Sequence, residues 1–389
     1  MFMRKLSHVR PILGLCGAAV LAAAAIAAEP DAAEQQRVME AIPASAPARA
    51  QKPRKLLIYD GNVNYGGHRS IVTANLAFKL MGQKTGAFET TISRDPQIFQ
   101  AESLRQFDAV FFNNTVGNLF EDAVLRRNLA EFVFAGGGLM GVHGTSVAFT
   151  RWPGAVEDWP EFGLMLGARG ANHRDSTERV FIKLDDPGHP INKVFGGEGF
   201  EYRDEFFRFQ TVYSRQKVRV LLSIDTEKTD VNQGQARGPC IRADNDYALA
   251  WVRSYGRGRV FYCTIAHNPY VFWDSKMLQF YLAAAQFVLG DLDGPTTPSG
   301  RLTPELRAQE RLGWRLGLAA ASDAQISLFD SIESAAAAGL LFIGADSRQK
   351  VSSQIPKELN SRLSGEDLEK IRLKLDAAGV RLLAYQLGV

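Results

Sequence analysis

Cysteine and histidine are both scarce in this chain, with three and six residues among 389. Once an N-terminal targeting segment is set aside, only Cys240 and Cys263 remain, and two cysteines do not make a disulfide framework. Cys263 lies inside the strand-like run RVFYCTIAH, where a buried, inert thiol is the common outcome. No block of lysine or arginine stands out against a net charge of +3, so no nucleic-acid partner is implied. The glycine clusters Gly66-Gly67 and Gly136-Gly137-Gly138 match neither G-x-G-x-x-G nor the Walker pattern. The segment GNVNYGGHRS is a poor phosphate loop for FMN, so neither a nucleotide nor a flavin is expected. The run GVHGT lacks the serine of G-x-S-x-G. No two histidines are spaced as H-x-x-x-H or H-x-H, so a metal site would have to be assembled from distant loops.

What is present is ordinary globular material, 46% hydrophobic and 22% charged. Residues 1–28 read as a secretory signal peptide. Arg4, Lys5 and Arg10 form a basic start, PILGLCGAAVLAAAAIAA is the apolar core, and Ala25-Ile26-Ala27 fits the cleavage pattern. The expectation is a periplasmic or secreted protein with no stable membrane anchor after cleavage. Residues 29–52, rich in Ala and Pro, read as a short helix or flexible linker.

Strand-like and helix-like runs then alternate from 53 to 291. KLLIYDG, FETTIS, FDAVFFNN and GLMGVHG read as strands, while SIVTANLAFKLM and EDAVLRRNLAEFVFAG carry apolar residues at helical spacing. This order predicts an α/β domain with a parallel sheet covered by helices on both faces. Further on, RVFIKL, FFRFQTV and RVLLSID read as strands, and the turn Tyr255–Gly258 makes a hairpin of ALAWVRSY and RVFYCTIAH. KMLQFYLAAAQFVLG closes the unit as a helix. Residues 292–310 read as a second linker. In 311–389 the alternation restarts with three strands and two helices, too few to close a barrel.

In an open parallel sheet, ligands sit outside the carboxyl ends of the strands. His68, His143 and His267 each follow a strand there. A lone histidine is more often a hydrogen-bonded core or loop residue, but three on converging loops suit a divalent ion such as zinc, or acid–base work near neutrality. His143 is a candidate for either role. Asp204 and Glu205, in EYRDEFFRF, stand just before a predicted strand as candidate bases. Neighbours on a strand face opposite ways, so one of the two is expected to enter the site. Asp60, ending the first strand, is a further acid. His173, Trp152, Tyr202 and Asn268 lie in loop-like stretches nearby and are candidates for substrate binding, with aromatic faces suited to sugar rings.

These stretches together carry a resemblance. GGHRS, GGGLMGVHGTS, WPEFGLMLGARGANH, DDPGHPI, RDEFF and ALAWVRSYGRGRVFYCTIAH, in that order across 53–291, resemble the ThuA-like (trehalose utilisation) family. The resemblance implies a flavodoxin-like, class I glutamine amidotransferase-like three-layer sandwich. It also implies a place in sugar catabolism, of disaccharides or glycosides handled through 3-keto intermediates, with a small carbohydrate as substrate. Amidotransferases of that fold set a cysteine on a sharp turn after a strand, and neither remaining cysteine holds such a place, so thiolate glutamine hydrolysis is not expected. The tail 311–389 resembles the first part of a xylose-isomerase-like sugar-phosphate isomerase/epimerase barrel, without its metal-binding segments. The two readings that follow are an exported sugar-acting hydrolase or lyase, and a non-catalytic carbohydrate-binding or scaffold domain.

Overall fold

The runs KLLIY, AVFFN and GLMGV are apolar on both faces of a pleated strand, which calls for cover on both sides. In the computed structural model, which describes residues 29–154, 156–210, 212–320 and 326–387, they are central strands of one nine-stranded sheet. The expected signal peptide, 1–28, lies outside the described residues. The strands are β1 (Lys55–Tyr59), β2 (Glu89–Ser93), β3 (Ala109–Asn113), β4 (Gly138–Val142), β5 (Glu178–Leu184), β6 (Phe200–Asp204), β7 (Arg219–Ile224), β8 (Ala248–Tyr255) and β9 (Gly258–Cys263). Their order across the sheet is β2-β1-β3-β4-β9-β8-β7-β5-β6.

The sheet is mixed rather than parallel throughout. Strands β1 to β4 and β9 run one way. The two-residue turn at Gly256, whose φ is +57°, reverses β8, and each later pairing is antiparallel. Two reversals bring β7 and β6 back into the direction of the parallel group. The carboxyl end of β6 and the amino end of β5 therefore lie at the same edge as the carboxyl ends of β1, β4 and β9.

Alternation along the strands divides the core. Leu56, Ile58, Phe111, Met140 and Phe261 pack with Phe78 and Phe280, from helices α2 (Ser70–Thr85) and α5 (Ser275–Leu289). Leu57, Tyr59, Val110, Phe112, Leu139 and Tyr262 pack on the other face with Leu129 and Phe162, from α3 (Ala123–Phe134) and α4 (Pro160–Leu166). Residues 29–52 contain helix α1 (Ala32–Ala41), capped by Asp31 and packed on α2 through the buried Val38 and Ile42. Gln286 then brackets Ala48, its Oε1 accepting from the backbone N–H at 2.9 Å and its Nε2 donating to the carbonyl at 2.6 Å. The expected short helix is present, and the stretch around it is docked rather than a flexible linker.

One strand differs from expectation. Residues 206–210 of FFRFQTV are not a strand; the strand is β6, and it ends on Asp204. Residues 205–210 leave the sheet edge and cross its rim, where the Phe207 N–H donates to Thr264 Oγ1 at 3.1 Å. The phenylalanines read as a strand because they are buried, Phe206 in one core cluster and Phe207 and Phe209 in the other. A short buried apolar run has no period that separates strand from covered loop.

The tail forms a parallel sheet of β10 (Gly317–Leu318), β11 (Phe342–Asp346) and β12 (Arg381–Gln386), with helices α7 (Leu328–Ala337) and α8 (Gly365–Ala378). The supposed linker 292–310 runs into helix α6 (Pro304–Leu312), whose Glu310 pairs with Arg219 of β7 at 2.8 Å. The tail docks beside the β8–β9 turn, on the edge opposite the carboxyl ends. There Arg372 of α8 meets Glu161 of α4 at 2.9 Å, both side chains 4% exposed, and Lys217 donates to the Asp376 carbonyl at 2.8 Å. Among the described residues no helix is long and apolar enough to cross a membrane.

Removing one partner of a buried ion pair leaves the other charge uncompensated. Glu161→Ala is therefore expected to destabilise the chain by about 3–5 kcal/mol in urea unfolding. A loss below about 1 kcal/mol, the worth of an exposed pair, contradicts this account of the junction.

Candidate functional site

Strand β4 ends on Val142, and the chain turns at once into a 3-10 helix, His143–Val147. His143 takes a φ of +40°, strained for a residue with a Cβ, and such strain persists only where surroundings hold it. Here its carbonyl accepts from Tyr262 Oη at 2.7 Å, and its Nδ1 lies 2.8 Å from the Thr264 carbonyl. That carbonyl can only accept, so Nδ1 carries the hydrogen and Nε2 keeps its lone pair. Gly144 follows in a tight space, where a side chain would press on its neighbours. A Cβ there would stand 3.0 Å from Val116 and 3.1 Å from the His68 ring.

His68 comes from the loop between β1 and α2, and His267 from the loop after β9. Ligand nitrogens of His68, His143 and His267 all lie within 4.8 Å of one another. His143 Nε2 and His267 Nδ1 are 3.2 Å apart. Glu205, carried over the rim by the segment after β6, places Oε1 at 3.3 Å from His143 Nε2 and Oε2 at 3.1 Å from His173 Nδ1. His173 precedes β5, and it arrives here because β5 runs backwards. Four histidines and one carboxylate thus meet at one rim.

Burial governs their charge. His143 and His68 are held well below the ordinary imidazole value, first by desolvation and then by neighbouring imidazoles, with the Thr264 and Asn114 backbones offsetting part. His267 is lowered by burial against the pull of Glu205. Glu205 is raised by burial, opposed by His267, His173 and Arg237. His68 Nδ1 is buried with no partner in hydrogen-bonding geometry, while Tyr65 Oη lies 3.2 Å from its Nε2.

Asp204 and Glu205 are both buried, in different roles, because the strand stops between them. Asp204 accepts from the backbone N–H groups of His267 and Asn268, each at 3.1 Å, and from Asn268 Nδ2 at 2.7 Å. Burial pushes its carboxyl up to about 7, opposed by these bonds. It fixes the loop that carries His267. Asn268 gives its amide to Asp204 and to the Ser176 carbonyl, which makes it a loop brace rather than a group aimed at a ligand. Tyr202 faces a separate shallow cleft with Arg179, Tyr270 and Trp273. Trp152 packs its ring 5.7 Å from Tyr65, whose own ring is 5.1 Å from His68. Asp60 is held by Arg94 and Asn75, away from the cluster.

Sequence reasoning passed over Tyr65, Phe207 and Asn114. Phe207 lays its ring 4.1 Å from that of His143. Asn114, at φ +55°, accepts from the Gly144 N–H at 3.0 Å and donates to the Ala266 carbonyl at 2.9 Å, tying the rims of β3, β4 and β9 together. An asparagine pair ending an apolar strand was the available signal, since asparagine tolerates left-handed backbone. No cysteine stands at the β4 turn. Cys240 and Cys263 are free and buried, and burial pushes the Cys263 thiol up to about 12.

Fold and site together define an α/β protein with a large central sheet and a histidine-lined crevice at its carboxyl rim. The chain belongs to the ThuA family, described as trehalose utilisation, which matches residues 55–288. Among solved structures, a protein described as ThuA-like from Bacteroides uniformis aligns with a TM-score of 0.50 and 21% identity, over 62% of this chain and 93% of that one. Another described in the same way, from Parabacteroides merdae, gives 0.46 and 17%, over 61% and 91%. At such identity the likeness concerns the fold alone. No curated protein matches the chain.

The lowered imidazole values have a definite sign. Below pH about 6.5 an unfolded chain takes up protons that buried His68 and His143 refuse, so each withdraws stability as the pH falls. Asp204 acts oppositely, since its raised value keeps a proton in the folded state up to about 7. Ring nitrogen NMR shifts are expected to show His143 and His68 still neutral at pH about 6. Ordinary titration near 6.5 contradicts the burial described.

Proposed function

We propose that the chain is an exported enzyme of carbohydrate catabolism that acts on a disaccharide or glycoside, 3-keto forms included, by hydrolase- or lyase-type chemistry. Its family supports the carbohydrate-related role, and the signal-like segment 1–28 supports export to the periplasm or beyond. The frame is read as flavodoxin-like, of the class I glutamine amidotransferase type, without that type's cysteine nucleophile. The observation that carries the reading is the convergence of His68, His143 and His267 within 4.8 Å, beside buried Glu205.

The residues fit a divalent ion such as zinc. Three imidazoles kept neutral by burial, one of them with an unpartnered buried nitrogen, are the donor type that zinc takes. The Thr264 carbonyl, by fixing the His143 tautomer, acts as the outer support that such ligands need. An ion held by the three histidines would supply Lewis acidity to a substrate oxygen. Glu205 serves as the base, because burial has raised its proton affinity and no arginine or lysine neutralises it directly. It accepts a proton from attacking water in a hydrolysis, or from the carbon beside a carbonyl in an elimination. His173, nearer the mouth of the crevice, holds its Nδ1 3.1 Å from Glu205 and 2.7 Å from the Arg174 carbonyl, so Nδ1 carries a hydrogen and orients the carboxylate. Tyr65 and Trp152 offer aromatic faces to a sugar ring.

Purified protein loaded with zinc is expected to hold stoichiometric metal by elemental analysis. His143→Ala and His267→Ala should lose it while keeping the wild-type circular dichroism. Glu205→Gln should keep the metal and lower kcat on a cleaved glycoside by about 10²–10⁴-fold. A wild-type chain that takes up no metal overturns the ion site. Saturable sugar binding with no turnover instead marks a carbohydrate-binding module.

A further inference from the structure

At the edge opposite the histidines, a cleft of about 830 Å³ opens between the large sheet and the tail. Its lining holds seven arginines and three carboxylates, and the carboxylates are already committed. Asp186 and Glu310 bind Arg219, and Asp293 binds Arg259. Arg257, Arg307, Arg311, Arg315 and Arg381 are left with no acidic partner among the described residues, and Arg257 donates to the Ala135 carbonyl.

Arg381 is the most exposing case. It starts β12, is half-buried, and lays its guanidinium 4.7 Å over the Phe342 ring. A guanidinium has five N–H donors, and the one bond made here runs from Nη1 to Ser254 Oγ at 2.7 Å. Burial first, and then the charge of Arg315, lower its pKa to about 10. A buried cation beside a like charge is costly unless an anion joins them. Ser254 and Thr296, whose hydroxyls bond to each other at 2.7 Å, line the same cleft and leave one hydroxyl hydrogen to donate.

We infer that this cleft binds a compact phosphate-bearing anion, held by Arg381 and Arg315. The planar fork of arginine matches two oxygens of a phosphate, and both side chains have free donors to offer. The shared chemistry is the phosphate group, carried either as free inorganic phosphate or on a phosphorylated sugar. The cleft exists only where the tail meets the sheet, so it stands apart from the histidine crevice.

Calorimetric titration of the full chain at low salt, with inorganic phosphate and with a hexose 6-phosphate, tests the inference. Saturable binding is expected, weakened about tenfold in Arg381→Gln and in Arg315→Gln, the cost of one charge-assisted hydrogen bond. Arg315 is exposed and has no side-chain bond among the described residues, so its variant folds even if the Arg381 variant does not. Equal affinities point to the free anion, and tighter hexose phosphate binding points to the sugar. His143→Ala should leave both titrations unchanged, which keeps this site distinguishable from the histidine crevice. Absence of saturable binding by both anions, or unchanged affinity in Arg315→Gln, overturns the inference.

Discussion

Keeping several imidazoles uncharged and a carboxylate buried, in contact and away from water, is the constraint on which this molecule turns. In a poorly polarisable interior each of these groups resists ionisation. Their mutual contact is tolerable only if every ring is held from behind. The Thr264 carbonyl holds His143, Tyr65 reaches His68, and Asp204 holds the backbone of the His267 loop. The rim of the sheet is built to provide such supports. Asn114 joins three strand ends, and Gly144 lets His68 approach as closely as it does.

Strand direction decides which residues can share that rim. A purely parallel sheet would have left His173 at the far edge, because it precedes a strand rather than following one. The hairpin at Gly256 and the three antiparallel pairings beyond it bring the start of β5 and the end of β6 to the same side. From the outermost strand, residues 205–210 return across the rim, and Phe207 wedges against His143. Glu205 therefore reaches a centre that lies four strands away from its own.

The two edges of the sheet have opposite electrostatic character. The carboxyl rim buries neutral rings around one acid, and the amino edge gathers guanidinium groups in excess of their partners. The tail creates the second environment by bringing Arg381 against Ser254 of β8, with the charge of Arg315 nearby. A buried link between Arg372 and Glu161 fastens it there, so the cleft is a property of the docked chain.

Much of this was legible in the sequence. Apolar runs with helices between them fixed the α/β class, and the rule of carboxyl ends singled out His68, His143 and His267 without any motif spacing. Strand ends are local facts, written in where a hydrophobic run stops. Other features were not local. FFRF looked like a strand because burial leaves the same mark on a loop pressed to a sheet, and this hid the end of β6 at Asp204. The docking of residues 29–52 was hidden too, since a few contacts such as Gln286 with Ala48 anchor an otherwise polar segment. The sequence by itself thus determined the elements and the histidines that end them. Tertiary structure alone decided which of them meet, because strand direction and chain crossing depend on pairings between residues far apart in the chain.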